Sequence, residues 1–212
     1  MLKEKHRPPH IYRDNQIYFL TSRTYKEICY FNNDSKKEIL KSVLIESIKR
    51  FNIKIYAWVI MDNHYHLLFH INRKFRSRLY GEQATQFVNP EENKLRNSEM
   101  TPKENFAPKY QLVEFIRKLH KDSSRIINTI DNTFGHKIWY QYWDHCIRDE
   151  ADFYKHFNYI HDNLIKHKKV KNIDELNLYK YSSFNTWVKK KGREWIVSCF
   201  RDYPVLDYTE DV

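Results

Sequence analysis

Apolar residues along this chain fall into two rhythms, a strict alternation and a three-to-four-residue recurrence, and the switches between them mark out the elements. The run QIYFLTSRTY (16–25), rich in β-branched and aromatic residues, predicts a first strand. Behind it Ile39, Val43, Leu44, Ile48 and Phe51 recur at helical spacing, and Ser35-Lys36-Lys37-Glu38 reads as a capping box, so a helix is expected over about 35–51. IKIYAWVIM (53–61) and YHLLFHI (65–71) are two more strand-like runs, separated by Asp62-Asn63-His64, a polar break suited to a tight hairpin. From Asn72 to about Lys109 the rhythm dissolves among charges, Pro90, Pro102 and Pro108, which reads as a long irregular insertion (72–109).

Leu112, Val113, Phe115, Ile116, Leu119, Ile126 and Ile127 predict a second helix over about 110–130, with Arg117, Lys118, Lys121 and Arg125 on its other face. IWYQYWDHCI (138–147) reads as a fourth strand, and Asp149 with Asp152 three residues on starts a third helix. On that helix Phe153, Phe157, Ile160 and Leu164 form one apolar stripe. Residues 1–14, with Pro8-Pro9, read as a basic arm, and 165–212 as a basic C-terminal tail. The order β-α-β-β-α-β-α implies an α+β fold, a ferredoxin-like (RRM-like) single domain over 1–212 with an antiparallel sheet and helices mainly on one face. The open face of such a sheet is a common platform for single-stranded nucleic acid.

Composition sharpens the picture. In 212 residues, 37 Lys and Arg against 27 Asp and Glu give a net charge of +10, which points to a polyanionic partner. The 16 Tyr, 13 Phe and 5 Trp supply rings that stack on bases as readily as on one another. Only 3 glycines occur, Gly81, Gly135 and Gly192, each isolated, so neither a GxxxxGK[ST] loop nor a GxGxxG turn exists and a glycine-cradled nucleotide cofactor is excluded. The 3 cysteines, Cys29, Cys146 and Cys199, lie far apart with no CxxC pair, which indicates neither a disulfide framework nor a thiolate zinc site. MLKEKHRPPH has no apolar signal region, and no run approaches the ~18 apolar residues of a membrane span. The expectation is a cytoplasmic protein without a membrane partner.

His64-Tyr65-His66 places two imidazoles on one face of a strand, where they are either partly exposed strand histidines or a pair able to bind one divalent cation. His70 lies further along the same face as a spectator. Tyr159 and Asn163, at i and i+4 on the third helix, share a face roughly 90–130° from the apolar stripe. That face is either a core edge carrying a ring or, if it meets the histidines, a tyrosine beside a metal with Asn163 as third ligand.

AWVIMDNHYHLLFH (57–70) resembles the strand-turn-strand of the HUH single-strand transposases. RPPHIYRDNQIYFLTSRTYK (7–26), WYQYWDHCIRDEADFYKHFNYIHDN (139–163) and YKYSSF (179–184) resemble, in order, the motifs of the REP-associated tyrosine transposases. The resemblance implies that His64 and His66 are the metal-binding pair, Tyr159 the nucleophile and Asn163 the residue completing the metal site, with Mg²⁺ or Mn²⁺ as cofactor. It implies attack of the tyrosine on a DNA phosphodiester, a 5′-phosphotyrosine link, a free 3′-hydroxyl, and reversal to rejoin strands. The bond energy is conserved, which agrees with the missing nucleotide loops. The substrate implied is single-stranded DNA with hairpin-forming palindromes, handled in the bacterial cytoplasm at the nucleoid by a monomer rather than a dimer. Candidate DNA contacts are Arg7, His10 and Arg13 in the arm and Lys166, Lys168, Lys169 and Lys171 in the tail, with Lys155 and His156 as helpers beside Tyr159. Two positions depart from the family pattern, which often has Pro where this chain has Asp62 and where it has Leu164. A hairpin-binding module that no longer cleaves, and a metal-dependent hydrolase using water, are the competing readings.

Overall fold

The structure, a computed structural model, describes residues 15–71 and 108–205. The arm at 1–14 and residues 72–107 of the expected insertion lie outside the described residues. The elements are β1 (Ile17–Thr24), α1 (Asp34–Phe51), β2 (Ile53–Ile60), β3 (His64–Ile71), α2 (Pro108–Ile130), β4 (Trp139–Cys146), α3 (Glu150–Lys166), α4 (Ile173–Leu178), α5 (Phe184–Lys191) and α6 (Arg193–Asp202). All neighbouring strands pair antiparallel in the order β2-β3-β1-β4. This is the α+β, ferredoxin-like arrangement: β3 returns between β1 and β2, so the pair with the histidines occupies an interior strand.

α1 starts one residue earlier than expected. Its cap is Asn33, whose side chain accepts the Lys36 N–H at 2.9 Å, so Ser35 lies inside the first turn rather than at the cap of a capping box. Asn33 serves equally well as a cap and leaves Asp34 in the first turn, where the helix dipole favours an acid. The helix stops at Asn52, which adopts the left-handed conformation (φ 48°) that ends many helices.

Both faces of the sheet are apolar, and this decides the layering. Tyr18, Leu20, Tyr65, Leu67 and Phe69 face α1 and α2, while Phe19, Ala57, Val59 and Leu68 face α3 and the helices after it. The helices are therefore not mainly on one face: with alternate residues of β1 and β3 apolar on both sides, each face of these strands must be covered, and among the described residues it is β4 that stays partly exposed. A bulge at Tyr56 shifts the register of β2 between Ile55 and Ala57, so that Ile53 and Ile55 point to one face and Ala57 and Val59 to the other.

The stretch after Lys166, read from sequence only as a basic tail, forms α4, α5 and α6, which bury Leu176, Phe184, Ile196 and Cys199 against α3. Tyr181–Ser183 pairs with the outer edge of β2 through Ile60 N–H to Tyr181 O at 2.9 Å and Ser183 N–H to Trp58 O at 2.9 Å. Gly192, at φ 88°, makes the sharp passage from α5 to α6 that other residues rarely adopt. Consequently α3 is clasped between the sheet and a second helical layer, and it is buried nearly all round. Among the described residues no helix is long and apolar enough to cross a membrane.

Candidate functional site

β3 presents His64 and His66 on the face that meets α3, and both are buried. α3 answers with a row at four- and three-residue steps, Asp152, His156, Tyr159, Asn163 and His167, each placed over the sheet by the helical repeat. Tyr159 is only 8% and Asn163 only 2% exposed. The Tyr159 ring lies 5.3 Å from that of His66 and 5.7 Å from that of Phe19, both edge-on. Asn163 Oδ1 is 3.4 Å from His64 Nε2. The structure thus brings His64, His66, Tyr159 and Asn163 together across one sheet-helix interface. Tyr159 lies off the apolar stripe as expected, and it is buried nevertheless because the face it shares with Asn163 packs against the sheet.

The hydrogen bonds fix how the two imidazoles present themselves. Asn63 donates from Nδ2 to the Glu27 carbonyl at 3.2 Å, so its Oδ1 accepts from His64 Nδ1–H at 2.7 Å. His64 Nε2 then carries a lone pair, and it faces Asn163 Oδ1, whose own amide Nδ2 donates to the Tyr159 carbonyl at 3.3 Å. Two acceptors with no proton between them confront each other. His66 repeats the pattern: Nδ1 pairs with Thr21 Oγ1 at 2.7 Å, while the buried Nε2 has no hydrogen-bond partner. Protonation does not resolve this, because burial, and then the neighbouring His167, push the His64 pKa from 6.5 down to about 4. Burial and His64 hold His66 well below 6.5 as well. His64 Nε2, His66 Nε2 and Asn163 Oδ1, each on a side chain held from behind by a hydrogen bond, are a donor set that suits a divalent cation.

A second cluster lies further along the same row. His145 on β4, with Asp152 and His156 on α3, places three ligand atoms within 4.8 Å of one another. Here the carboxylate is already engaged: Asp152 Oδ2 accepts from Arg148 N–H at 3.0 Å, Arg148 Nε at 3.1 Å and His145 Nε2 at 2.8 Å. Burial opposes its charge, yet the bonds from His145 and Arg148 pull the Asp152 pKa down to about 2. A guanidinium on the same oxygen makes this a hydrogen-bond hub rather than the better cation cradle. It also holds His156, whose Nδ1–H donates to the Asp152 carbonyl at 2.8 Å and whose ring lies 4.6 Å from Phe19.

The remaining expected residues divide. Lys166, Lys168 and Lys171 are exposed and Lys155 is half-buried. Lys169 is exposed as well and forms an ion pair with Asp62 at 2.5 Å. Asp62, at the first departure from the family pattern, also takes Lys37 at 2.7 Å, so a carboxylate ties α1 and the end of α3 to the β2–β3 turn. Burial opposes its charge, but the bonds from Lys169 and Lys37 outweigh that and lower its pKa. Arg7, His10 and Arg13 lie outside the described residues. Thr21, Asn63, His145 and His167 were not among the sequence candidates. Extending the Tyr159–Asn163 row by one more step of four reaches His167, whose ring lies 5.0 Å from that of His64.

With this geometry in view, residues 14–80, which carry the paired histidines, match the family described as transposase IS200 like. Within that class the likeness narrows to the REP-associated tyrosine transposases. A Haemophilus influenzae protein whose name assigns it to that group is 32% identical over 81 residues, covering 38% of this chain and 44% of the relative. The chain thus spans under half the length of that relative. A solved REP-associated tyrosine transposase bound to a REP hairpin has the same fold, with a TM-score of 0.57 at 17% identity over 87% of this chain and 86% of that one. The resemblance drawn from the motifs is therefore borne out.

Proposed function

We propose that this chain, acting as one catalytic unit, cuts and rejoins single-stranded DNA beside hairpin-forming palindromes through a 5′-phosphotyrosine on Tyr159. The observation that carries the reading is the meeting of His64, His66 and Asn163 beside the Tyr159 ring, with His66 Nε2 buried and unpartnered. His64, His66 and Asn163 would hold Mg²⁺ or Mn²⁺, which when bound polarises the scissile phosphate and offsets charge on the leaving oxygen. Asn63 keeps His64 in the tautomer that leaves Nε2 bare, and Thr21 Oγ1 holds the His66 ring through Nδ1 with Nε2 on the opposite side.

Tyr159 Oη attacks phosphorus, the P–O3′ bond breaks, and the phenolic proton passes through solvent to the departing 3′-oxygen. The reverse attack by a 3′-hydroxyl restores the diester and the tyrosine, so no nucleotide cofactor is consumed. His66 and Phe19 hold the Tyr159 ring edge-on, which limits its swing and keeps the hydroxyl near the histidines. Tyr159 meets the His66 of its own chain, which supports a monomer working in cis. Exposed Lys166, Lys168 and Lys171, with Arg7, His10 and Arg13, are assigned to DNA flanking the hairpin. The hairpin-bound fold relative supports the hairpin as partner, and DNA as substrate puts the place of work at the bacterial nucleoid.

The test is a denaturing gel of labelled single strands from the DNA flanking the gene, with Mg²⁺ or Mn²⁺ and with EDTA. A protease-sensitive, slow-migrating adduct that disappears in Tyr159→Phe and in EDTA is expected. Cleavage that survives Tyr159→Phe would establish a water-using hydrolase instead, and hairpin binding with no cleavage in any metal would establish the binding module.

A further inference from the structure

Directly after β1 the chain makes a turn in which two successive non-glycine residues, Lys26 and Glu27, adopt φ of 54° and 56°. L side chains rarely take this conformation, and strained residues of this kind persist only where the surroundings enforce them. Here Tyr25 N–H donates to Ile138 O at 2.7 Å, Thr24 Oγ1 to Ile28 O at 2.7 Å, and Asn63 Nδ2 to the Glu27 carbonyl at 3.2 Å. The β1–β4 register also shifts between Ser22 and Thr24, a bulge of the sort that re-aims side chains near sites.

The result is a surface of alternating rings and cations. Tyr25 lies 6.3 Å from Tyr140, ring centre to ring centre, and Tyr140 is 50% exposed. The exposed Lys137 ammonium stands 4.9 Å from the Tyr25 ring centre and 5.3 Å from that of Tyr140. Lys26 stands 5.5 Å from Tyr25 on another side. Arg23, two residues before Tyr25, is the register partner of His64, so this surface lies at the histidine end of the sheet, roughly 7 Å further along the strand direction.

An exposed ring and a half-buried one beside ammonium groups suit an unpaired nucleotide: the π face of a base stacks on a tyrosine and the phosphate next to it meets a lysine. Paired bases are already stacked on one another and offer such a surface little. We propose that Tyr25, Tyr140 and Lys137 form a stacking platform for an unpaired nucleotide of the strand that runs past the histidine site. This inference rests on the reading of single-stranded DNA as substrate.

Fluorescence anisotropy of the full chain would test it, with a stable DNA hairpin as probe, blunt or carrying an unpaired thymidine tail on either side. The tail should tighten binding by wild type, and by Tyr25→Phe/Tyr140→Phe, which keeps both rings. Tyr25→Ala/Tyr140→Ala should lose about tenfold or more on the tailed probe and bind the blunt hairpin as wild type does. Lys137→Met should lower the salt dependence on the tailed probe by about one counterion. A tail effect that is absent from wild type, that survives the double alanine change, or that is lost together with blunt-hairpin binding overturns the platform. Adduct formation by each variant at saturating tailed DNA separates the two readings. An adduct with an alanine-insensitive tail effect leaves cleavage standing without the platform, and an alanine-sensitive tail effect without adduct leaves the platform standing without cleavage.

Discussion

Acid should destabilise this protein through histidines that have nothing to do with cleavage, and His161 allows the size of the effect to be worked out. Its ring is fully buried, with Nε2 2.9 Å from Ser183 Oγ and its ring centre 4.6 Å from that of Phe157 and 5.4 Å from that of Phe184. Burial pushes its pKa from 6.5 down to about 3. In the unfolded chain the same imidazole takes up its proton near 6.5, so below that pH the unfolded state binds more protons and folding loses stability. The loss begins as pH falls through 6.5 and levels off near 3. At pH 5 the gap of about 1.5 units corresponds to about 2 kcal/mol for this one residue. His120, bonded to Tyr65 Oη at 2.8 Å in the other core cluster, is likewise pushed to about 3 by burial. Urea unfolding at pH 7 and at pH 5 gives the stability lost between them for wild type, His161→Gln, His120→Gln and the double variant. Each single change should shrink that difference by about 2 kcal/mol and the double change by about 4, since the two sites lie in separate clusters. Comparing each protein with itself removes the cost of the substitution. A pH difference identical in all four proteins would refute the reasoning.

Other outcomes follow from the ties around the histidine pair. Asp62→Asn leaves Lys37, only 9% exposed at its side chain, without its charge partner and should cost about 2 kcal/mol in urea unfolding. Lys169→Met, at a side chain 42% exposed, should cost well under 1 kcal/mol. Asn63→Ala removes the acceptor behind His64 and should weaken Mn²⁺ binding about 10- to 100-fold by calorimetry while leaving far-UV circular dichroism unchanged; an unchanged affinity would show that Asn63 does not orient the ring.

The strands and the pairing of His64 with His66 were legible because β3 pairs with β1 in unbroken register, so that a residue's face there depends only on its parity. Asn163 and Tyr159 were legible as one helix face by similar arithmetic. What that face meets was not, because stripe arithmetic assumes one buried side, and α3 has two. α4, α5 and α6, at 6, 8 and 10 residues, are too short for helical periodicity to rise above the lysine background. The first-helix cap went to Ser35 because it opens a capping-box pattern, whereas Asn33 wins by reaching Lys36 N–H directly. The Asp62 link to Lys37 and Lys169 joins residues 25 and 107 positions away, a pairing no local pattern encodes. The Lys26–Glu27 turn is equally invisible, since neither residue type announces a left-handed backbone.

The pairing of Tyr181–Ser183 with β2 bears on self-association. An uncovered outer strand offers its N–H and C=O groups to any other chain, and hydrophobic strands such as IKIYAWVI are the sort that recruit copies of themselves. Trp58 and Ile60 spend those groups on Tyr181 and Ser183 instead. The segment that braces the tyrosine helix is thereby also the molecule's guard against sheet growth. A chain cut between α3 and Tyr181 would betray itself first by aggregating, before any loss of strand content could be seen.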